Sequence, residues 1–519
     1  MKKLIVLALA GLLFLVGCGS GGTAGEGGGT GEFEKDFTFI SNTSVEPQSF
    51  HPNRTSDDGA WPVNQNIFNR LVKLNAYNTY VPDLATDWEF TNDGKTLTFN
   101  LHDNVVWHDG TKFTSEDVKY TFDTMIAEAW QHSSSFASVD SIDTPDDNTV
   151  VFNLKNADSS IISKLSWYGT FIVPKHVYDG TDTATNPANQ NPIGTGPFKF
   201  DKYESGVAVT LKRNDDFFGD DIDVETLIFR IIPDESTLYQ AFINGEVDYL
   251  GSLPTANVDS LDGDDNYEII QSLGINRTYV TFNFADEDFG KAEVRQAVAY
   301  ALDQQSVYDR VGGAGAKAES LISPVFTDYV DPSVKLPETD TAKAIELLEG
   351  AGYTKNANGY YIETDFDYFV SGNFGDIAAI VAANLEKVGI KLKLNALEMS
   401  AWQTKVMDNS DFAITMLAGY QGPDVSGVDN RVKSTGSTNI AGYNNPALDE
   451  ALTKGAQAST IEDRKPFYVE AQKIMLEDLP IIQILDNGYK TPIKKEFTGT
   501  SYQDKTKASG EFSGVKKTK

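Results

Sequence analysis

The side chains best suited to metal or nucleophile chemistry are few in this 519-residue chain: five histidines and one cysteine, set against 75 carboxylates. His51, His102, His108, His132 and His176 include no two that stand three or four apart, so no helix carries a preformed histidine pair for a metal. The carboxylates are too numerous for any two to stand out as an acid–base pair. There is no Gly-x-Ser-x-Gly nucleophile turn and no phosphate loop ending in Gly-Lys-Ser/Thr. Gly313-Ala314-Gly315 lacks the third glycine of a dinucleotide fingerprint and follows a helical pattern, so it reads as a loop. Asp215 to Asp223 is acidic, but Phe217 and Gly219 occupy positions where a calcium loop needs oxygen ligands, and a solvated turn is the reading. No cofactor and no metal is expected. A hydrolase stays open on these grounds, with no motif pointing to it.

The cysteine carries an address. Lys2 and Lys3 precede an apolar run from Leu4 to Val16, and Leu15-Val16-Gly17-Cys18 ends it. That run is shorter than the roughly 18–20 residues a membrane span needs, and a basic start with a small residue before the cut is the pattern of an export signal. The segment resembles the lipobox of bacterial lipoproteins, which implies that residues 1–17 are removed and that the Cys18 thiol receives a diacylglyceryl group. An acylated thiol leaves no intrachain disulfide, cysteine nucleophile or cysteine-bound zinc. An ordinary secretory signal that happens to contain a cysteine is the alternative. Residues 18–36 then form a tether: Gly19 to Gly31 is mostly glycine and behaves as a coil of roughly 20 Å extent. No later apolar run is long enough for a second span, so the lipid would be the anchor, on the outer face of the cytoplasmic membrane or in the periplasm of a two-membrane host.

The rest of the chain must position a binding site. A formal net charge of −32 argues against a nucleic-acid partner, which needs a basic face. The length is too great for one core and implies two or three domains. Ordered structure is expected from Phe37. Trp88 and Phe90 alternate before Asn92-Asp93-Gly94, and Leu97, Phe99 and Leu101 alternate after it, which predicts a hairpin over 87–101. Thr114 caps a helix that carries Val118, Phe122, Met125 and Ile126 on one face, and a strand follows over 149–154. The second half alternates helices, over 292–311, 341–349, 377–387 and 464–476, with strands such as 390–396, so the fold class is α/β.

Longer segments then identify a family. Asp87-Trp88-Glu89-Phe90 with Asn92 to Leu101, Val106-Trp107-His108-Asp109-Gly110-Thr111, Thr114 to Val118, Ile193-Gly194-Thr195-Gly196-Pro197-Phe198, Val294 to Asp303, Ala342 to Leu348, and Tyr443-Asn444-Asn445-Pro446 with Leu448-Asp449 stand in one order over about residues 37–490. Together they resemble the extracellular solute-binding proteins of family 5, the oligopeptide- and dipeptide-binding components of bacterial ABC importers. Most of these residues read as structural: Gly194 to Pro197 is a rigid bend before a strand, and Arg295 and Asp303, eight apart on one helix face, hold packing and caps.

The resemblance implies a two-lobed periplasmic-binding-protein fold (class II type, cluster C). Lobe 1 would span 37–284 and 489–519 with an inserted subdomain near 75–190, lobe 2 would span 285–488, and the crossings would lie at Thr281 to Phe284 and Asp486 to Gly488. It also implies ligand contacts. Asp424, in Gly419-Tyr420-Gln421-Gly422-Pro423-Asp424, stands where relatives pair an aspartate with a ligand ammonium, although the commoner Asp-Pro-Asp is absent, and a turn cap is its other role. Trp402, two residues after an N-cap at Ser400, corresponds to an aromatic cleft wall. Trp61, Val63 and Asn64 fall in a lobe 1 loop whose backbone pairs with extended ligands, with packing as the alternative for Trp61. Tyr420, Gly422 and Asn373 complete the set. The function implied is a monomeric importer component without catalysis, capturing short peptides for an ABC permease and its ATPase. The same scaffold binding an oligosaccharide or another solute, or sensing a peptide pheromone, is the alternative.

Overall fold

The computed structural model describes residues 32–54, 57–250, 255–311 and 313–519. Cys18, the export segment and most of the tether lie outside the described residues. Order begins earlier than the expected Phe37: Phe33–Glu34 is a strand that pairs antiparallel with Lys516–Thr518 and brings the two chain ends together.

Lobe 1 is built on a four-stranded sheet in the order Phe37–Thr43, Val224–Ile231, Ala208–Arg213, Phe198–Glu204, with the first pair parallel. Its core joins Phe39, Leu211 and Phe229 to Phe497, Phe512 and Val515 from the C-terminal segment. Phe39 lies 5.0 Å from Phe497 and 5.2 Å from Phe512 between ring centroids, so both ends of the chain are needed to close this core. The bend before Phe198 contains glycine for lack of space: a Cβ on Gly194 would stand 1.9 Å from the Ile67 carbonyl oxygen.

The inserted subdomain is an antiparallel sheet in the order Ala85–Thr91, Thr96–Leu101, Thr149–Leu154, Val139–Asp146. The hairpin is the one the alternation predicts, and Asn92, Asp93 and Gly94 turn it with positive φ of 52°, 53° and 78°. Helix Ser115–Ala127 packs Val118, Phe122 and Met125 onto this sheet, and the Asp117 carboxylate accepts from the Thr114 backbone N–H at 3.0 Å to form its cap.

Lobe 2 holds a six-stranded mixed sheet in the order Ala316–Lys317, Ile481–Lys494, Tyr267–Phe282, Ile414–Tyr420, Ile362–Phe369, Ile390–Leu397. Helices Thr341–Gly350, Phe374–Glu386 and Ile461–Asp478 extend the predicted ones by a few residues. The expected single helix over 292–311 is two, Ala292–Ala301 and Gln304–Val311. Asp303 therefore shares no helix face with Arg295; its carboxylate accepts from the Ser306 backbone and starts the second helix. Arg295 packs as expected, donating to the carbonyls of Phe289 and Asp478.

Two long strands connect the lobes. Tyr267–Phe282 and Ile481–Lys494 pair antiparallel, but the ladder breaks between Leu273 and Arg277. Before the break Ile270 packs on the lobe 1 core with Ile493; after it Val280 and Phe282 belong to the lobe 2 core with Ile482. The first crossing is thus at Gly274 to Asn276, earlier than Thr281 to Phe284, where Thr281 and Phe282 are 1% and 0% exposed inside lobe 2. Asp486 to Gly488 stands opposite this break on the other strand. Arg277 and Asp486, one on each strand, form an ion pair there with side-chain exposures of 0% and 3%.

Candidate functional site

The strand Ile414–Tyr420 ends at the junction of the lobes, and a turn follows it there. Gly422 adopts φ +86°, a conformation that favours glycine. The Asp424 carboxylate accepts from the Ser426 backbone at 3.0 Å and caps the short 3₁₀ turn Val425–Val428, which runs into the helical turn Asp429–Val432. Lobe 1 reaches this loop directly. Tyr80 donates its hydroxyl to the Pro423 carbonyl at 3.0 Å, and Ser159 donates its backbone N–H and hydroxyl to the Ala456 carbonyl at 3.2 Å and 3.0 Å.

Three cavities surround these contacts. One of about 490 Å³ is lined by Tyr80, Trp88, Phe90, Phe326, Tyr329 and Ile461, with the Asp424–Arg464 pair in its wall. One of about 360 Å³ on the other side of Pro423 is lined largely by polar residue types, among them His132, Lys164, Trp167 and Tyr168 of lobe 1 and Gly422 and Asp429 of lobe 2. A third of about 280 Å³ lies at the crossing between Trp61, Arg70, Trp167, Tyr489 and the stretch Ser272 to Asn276.

Their charged groups differ in what is left to bind. Asp424 is fully engaged: Arg464 grips it through Nη1 at 3.0 Å and Nη2 at 2.6 Å. Burial pushes its pKa up, but the guanidinium overcomes this and holds the carboxyl below the usual range. Lys164 is paired with Asp158 at 2.7 Å. Asp429 is different, because its Oδ1 is buried and makes no hydrogen bond among the described residues. Burial, against the pull of Lys433, raises this carboxyl to about 7. His132 Nε2 is likewise buried and without a partner among the described residues, and burial lowers its pKa.

The family model for bacterial extracellular solute-binding proteins, family 5 Middle, matches residues 79–440, more than half of the chain. The chain belongs to this family. The dipeptide-binding protein of Escherichia coli K12 is 27% identical over 498 residues, covering 90% of this chain and 92% of that protein. Heme-binding protein A of Haemophilus influenzae is 26% identical over 536 residues, covering 96% of both. The solved substrate-binding protein CtaP of Listeria monocytogenes shares the fold with a TM-score of 0.83 at 24% identity, over 94% of this chain and 100% of that one.

Within this family 5 protein the residues singled out from sequence fall in different places. Asp424 and Gly422 lie at the lobe junction, and Trp61 lines the crossing cavity, its ring 4.4 Å from that of Tyr168. Val63 and Asn64 do not offer a backbone edge, because Trp61–Ile67 is a helix rather than a loop; Asn64 N–H donates to Ala60 and its carbonyl accepts from Phe68. Trp402 is core, 4% exposed, with Nε1 donating to Thr415 at 3.1 Å and its ring edge-on to Phe369. Its helix starts from Glu398, so Ser400 is not the cap. Asn373 is exposed at the start of helix Phe374–Glu386, away from the three cavities. The backbone of Tyr420 pairs with Asn276, and its side chain lies outside the described residues. Asp429, His132 and Arg70 escaped the sequence reading. Only Arg70, a lone charge inside Ile67-Phe68-Asn69-Arg70-Leu71-Val72, carried a signal, since a cation in an apolar run is buried with a purpose.

Proposed function

We propose that this protein is the substrate-binding component of an ABC importer, which captures short peptides outside the membrane, delivers them to the permease and its ATPase, and performs no chemistry of its own. The observation that carries the reading is the cavity at the lobe junction, where Oδ1 of Asp429 lacks a donor among the described residues and both lobes contribute walls. A ligand ammonium supplies that donor, and a ligand that touches both lobes stabilises their closed arrangement by the difference in its contacts. Asp424, expected in that role, would first have to give up Arg464. The dipeptide-binding relative supports peptide as the cargo. The protein acts as a monomer tethered through Cys18, which holds it near the permease while the glycine-rich segment leaves the lobes free to move. Native mass spectrometry of freshly purified protein, followed by thermal-shift screening against peptides and oligosaccharides, tests this; stabilisation by sugars alone would overturn it.

Two results should follow. A Cys18→Ala protein keeps its ligand affinity but leaves the membrane fraction for the medium or periplasm, read by fractionation and immunoblot. Asp429 gives the protein a pH signature. Its carboxyl titrates at about 3.9 when unfolded and at about 7 when folded, so the folded state holds the extra proton between these values and stability falls as pH rises through them. Asp429→Asn should therefore match the parent at pH 4 and exceed it at pH 8 by about 1 kcal/mol or more, in urea melts at both pH values. The affinity of the parent for Ala-Ala-Ala should rise several-fold from pH 6 to 8, and this rise should vanish in the variant.

A further inference from the structure

Arg70 is a buried cation with no counter-ion among the described residues. It is 3% exposed and forms no ion pair with any of them, and the side-chain hydrogen bond it makes to them runs from Nε to the Trp167 carbonyl at 2.9 Å. The guanidinium lies over the faces of two aromatic rings, 3.7 Å from the centroid of Phe171 and 5.2 Å from that of Trp61, and Nη2 is buried without an acceptor among the described residues. The nearest acids are already used. Asp83 accepts from Asn69 and from the Arg70 backbone N–H, both at 2.7 Å, and Glu511 is bound by Lys73 at 2.9 Å. Burial depresses the guanidinium to about 9, against the pull of Asp83 and Glu511.

A charge removed from water without a partner destabilises the fold, and such a residue is retained where something else uses it. The surroundings say what that is. Arg70 lines the cavity of about 280 Å³ at the first crossing, opposite Ser272 to Asn276, where the ladder between the two connecting strands is interrupted. Trp167 lines both this cavity and the cavity that holds Asp429, so the unpartnered cation and the unpartnered carboxylate lie on neighbouring chambers of one junction. The planar fork of a guanidinium matches a carboxylate, and here it rests against the faces of Phe171 and Trp61.

We propose that Arg70 is the anion-recognition residue of this protein and takes a carboxylate of the bound ligand in the crossing cavity. The inference rests on the peptide reading for its ligand, and there the carboxylate is either the C-terminus or an acidic side chain. A carboxylate at Arg70 also touches the strand on which the lobes turn, which couples recognition of the anion to closure.

The test is calorimetric titration of the full-length protein with Ala-Ala-Ala, its C-terminal amide, and Ala-Glu-Ala amide, together with thermal melts in sodium succinate. The free acid is expected to bind the parent protein at least roughly thirty-fold tighter than the amide, in line with loss of one charge-assisted bidentate contact. That ratio should fall to near one in Arg70→Met and remain intermediate in Arg70→Lys. If Ala-Glu-Ala amide recovers the affinity, the side chain is the source of the anion; if it does not, the C-terminus is. Arg70→Met keeps apolar bulk against Trp61 and Phe171 while removing the buried charge, and should melt higher than the parent, whereas an arginine with a merely structural role would melt lower when replaced. Acid and amide binding the parent equally would overturn the role of Arg70 and leave the peptide reading standing. If no peptide binds but succinate raises the parent's melting temperature saturably and not that of Arg70→Met, Arg70 stands and the peptide reading falls. If neither peptide acids nor succinate distinguish parent from variant, Arg70 is not an anion site.

Discussion

Arg464→Met is expected to destabilise the protein by about 3–5 kcal/mol, because it strands the Asp424 carboxylate inside the lobe junction. Every donor of Arg464 is used: Nε bonds the Gly455 carbonyl at 3.0 Å, Nη1 the Tyr329 hydroxyl at 3.1 Å and Asp424 at 3.0 Å, and Nη2 Asp424 at 2.6 Å and the Tyr468 hydroxyl at 3.3 Å. The side chains of the pair are 7% and 6% exposed, so water cannot replace the guanidinium. Burial raises the carboxyl and lowers the arginine, but in each partner the attraction wins, and Asp424 ends below its usual range and Arg464 above. A depressed folded pKa means that the contribution of Asp424 is present above about 4 and is lost as pH falls through the folded value. In urea melts at pH 7 the variant should lose most of the protein's margin, and Arg464→Met with Asp424→Asn together should recover part of it without reaching the parent. A single variant as stable as the parent would show that the pair is not closed in solution.

This pair also explains why the site was harder to read than the scaffold. The hairpin over Asp87 to Leu101 and the helix capped by Thr114 were legible because alternation, Asp-Gly and a cap at Thr114 with Asp117 three residues on act locally. Asp424 was legible as a position, but its partner lies on helix Ile461–Asp478, forty residues away in sequence, and nothing local distinguishes a carboxylate gripped by arginine from one left open. Asp429 was one acid among 75. Trp402 failed as a cleft wall because an aromatic residue on an apolar face packs against Phe369 as readily as against a ligand. The helix at Trp61 could have been found: Pro62 in a first turn with Val63 and Ile67 four apart is a helix start, and that pattern outranks the expectation of a loop. The break at Leu302 was concealed by continuous apolar periodicity, although Asp303 three residues before Ser306 is a cap in the making.

Asp486→Ala should be as damaging as Arg464→Met, about 3–5 kcal/mol, but for a pair of opposite character. Arg277 and Asp486 face each other in register on the two connecting strands, with Nη2 of Arg277 donating to the Ser320 carbonyl at 2.8 Å. Here burial outweighs attraction in both partners, raising Asp486 and lowering Arg277. The ion pair is therefore a net cost relative to its charges in water, even though removing one member leaves the other buried and unpaired. Arg277→Met with Asp486→Leu should then be as stable as the parent or more so, whereas Arg464→Met with Asp424→Asn should not. The pair ties one connecting strand to the other beside the ladder break at Gly274 to Asn276, which predicts that it restrains how the lobes move. The hydrophobic double variant should accordingly fold well but open and close less definitely, seen as a broader inter-lobe distance distribution between spin labels on the two lobes and as weaker ligand binding with a faster off-rate. A double variant less stable than the parent, or one with an unchanged distance distribution, would remove the pair from the opening mechanism.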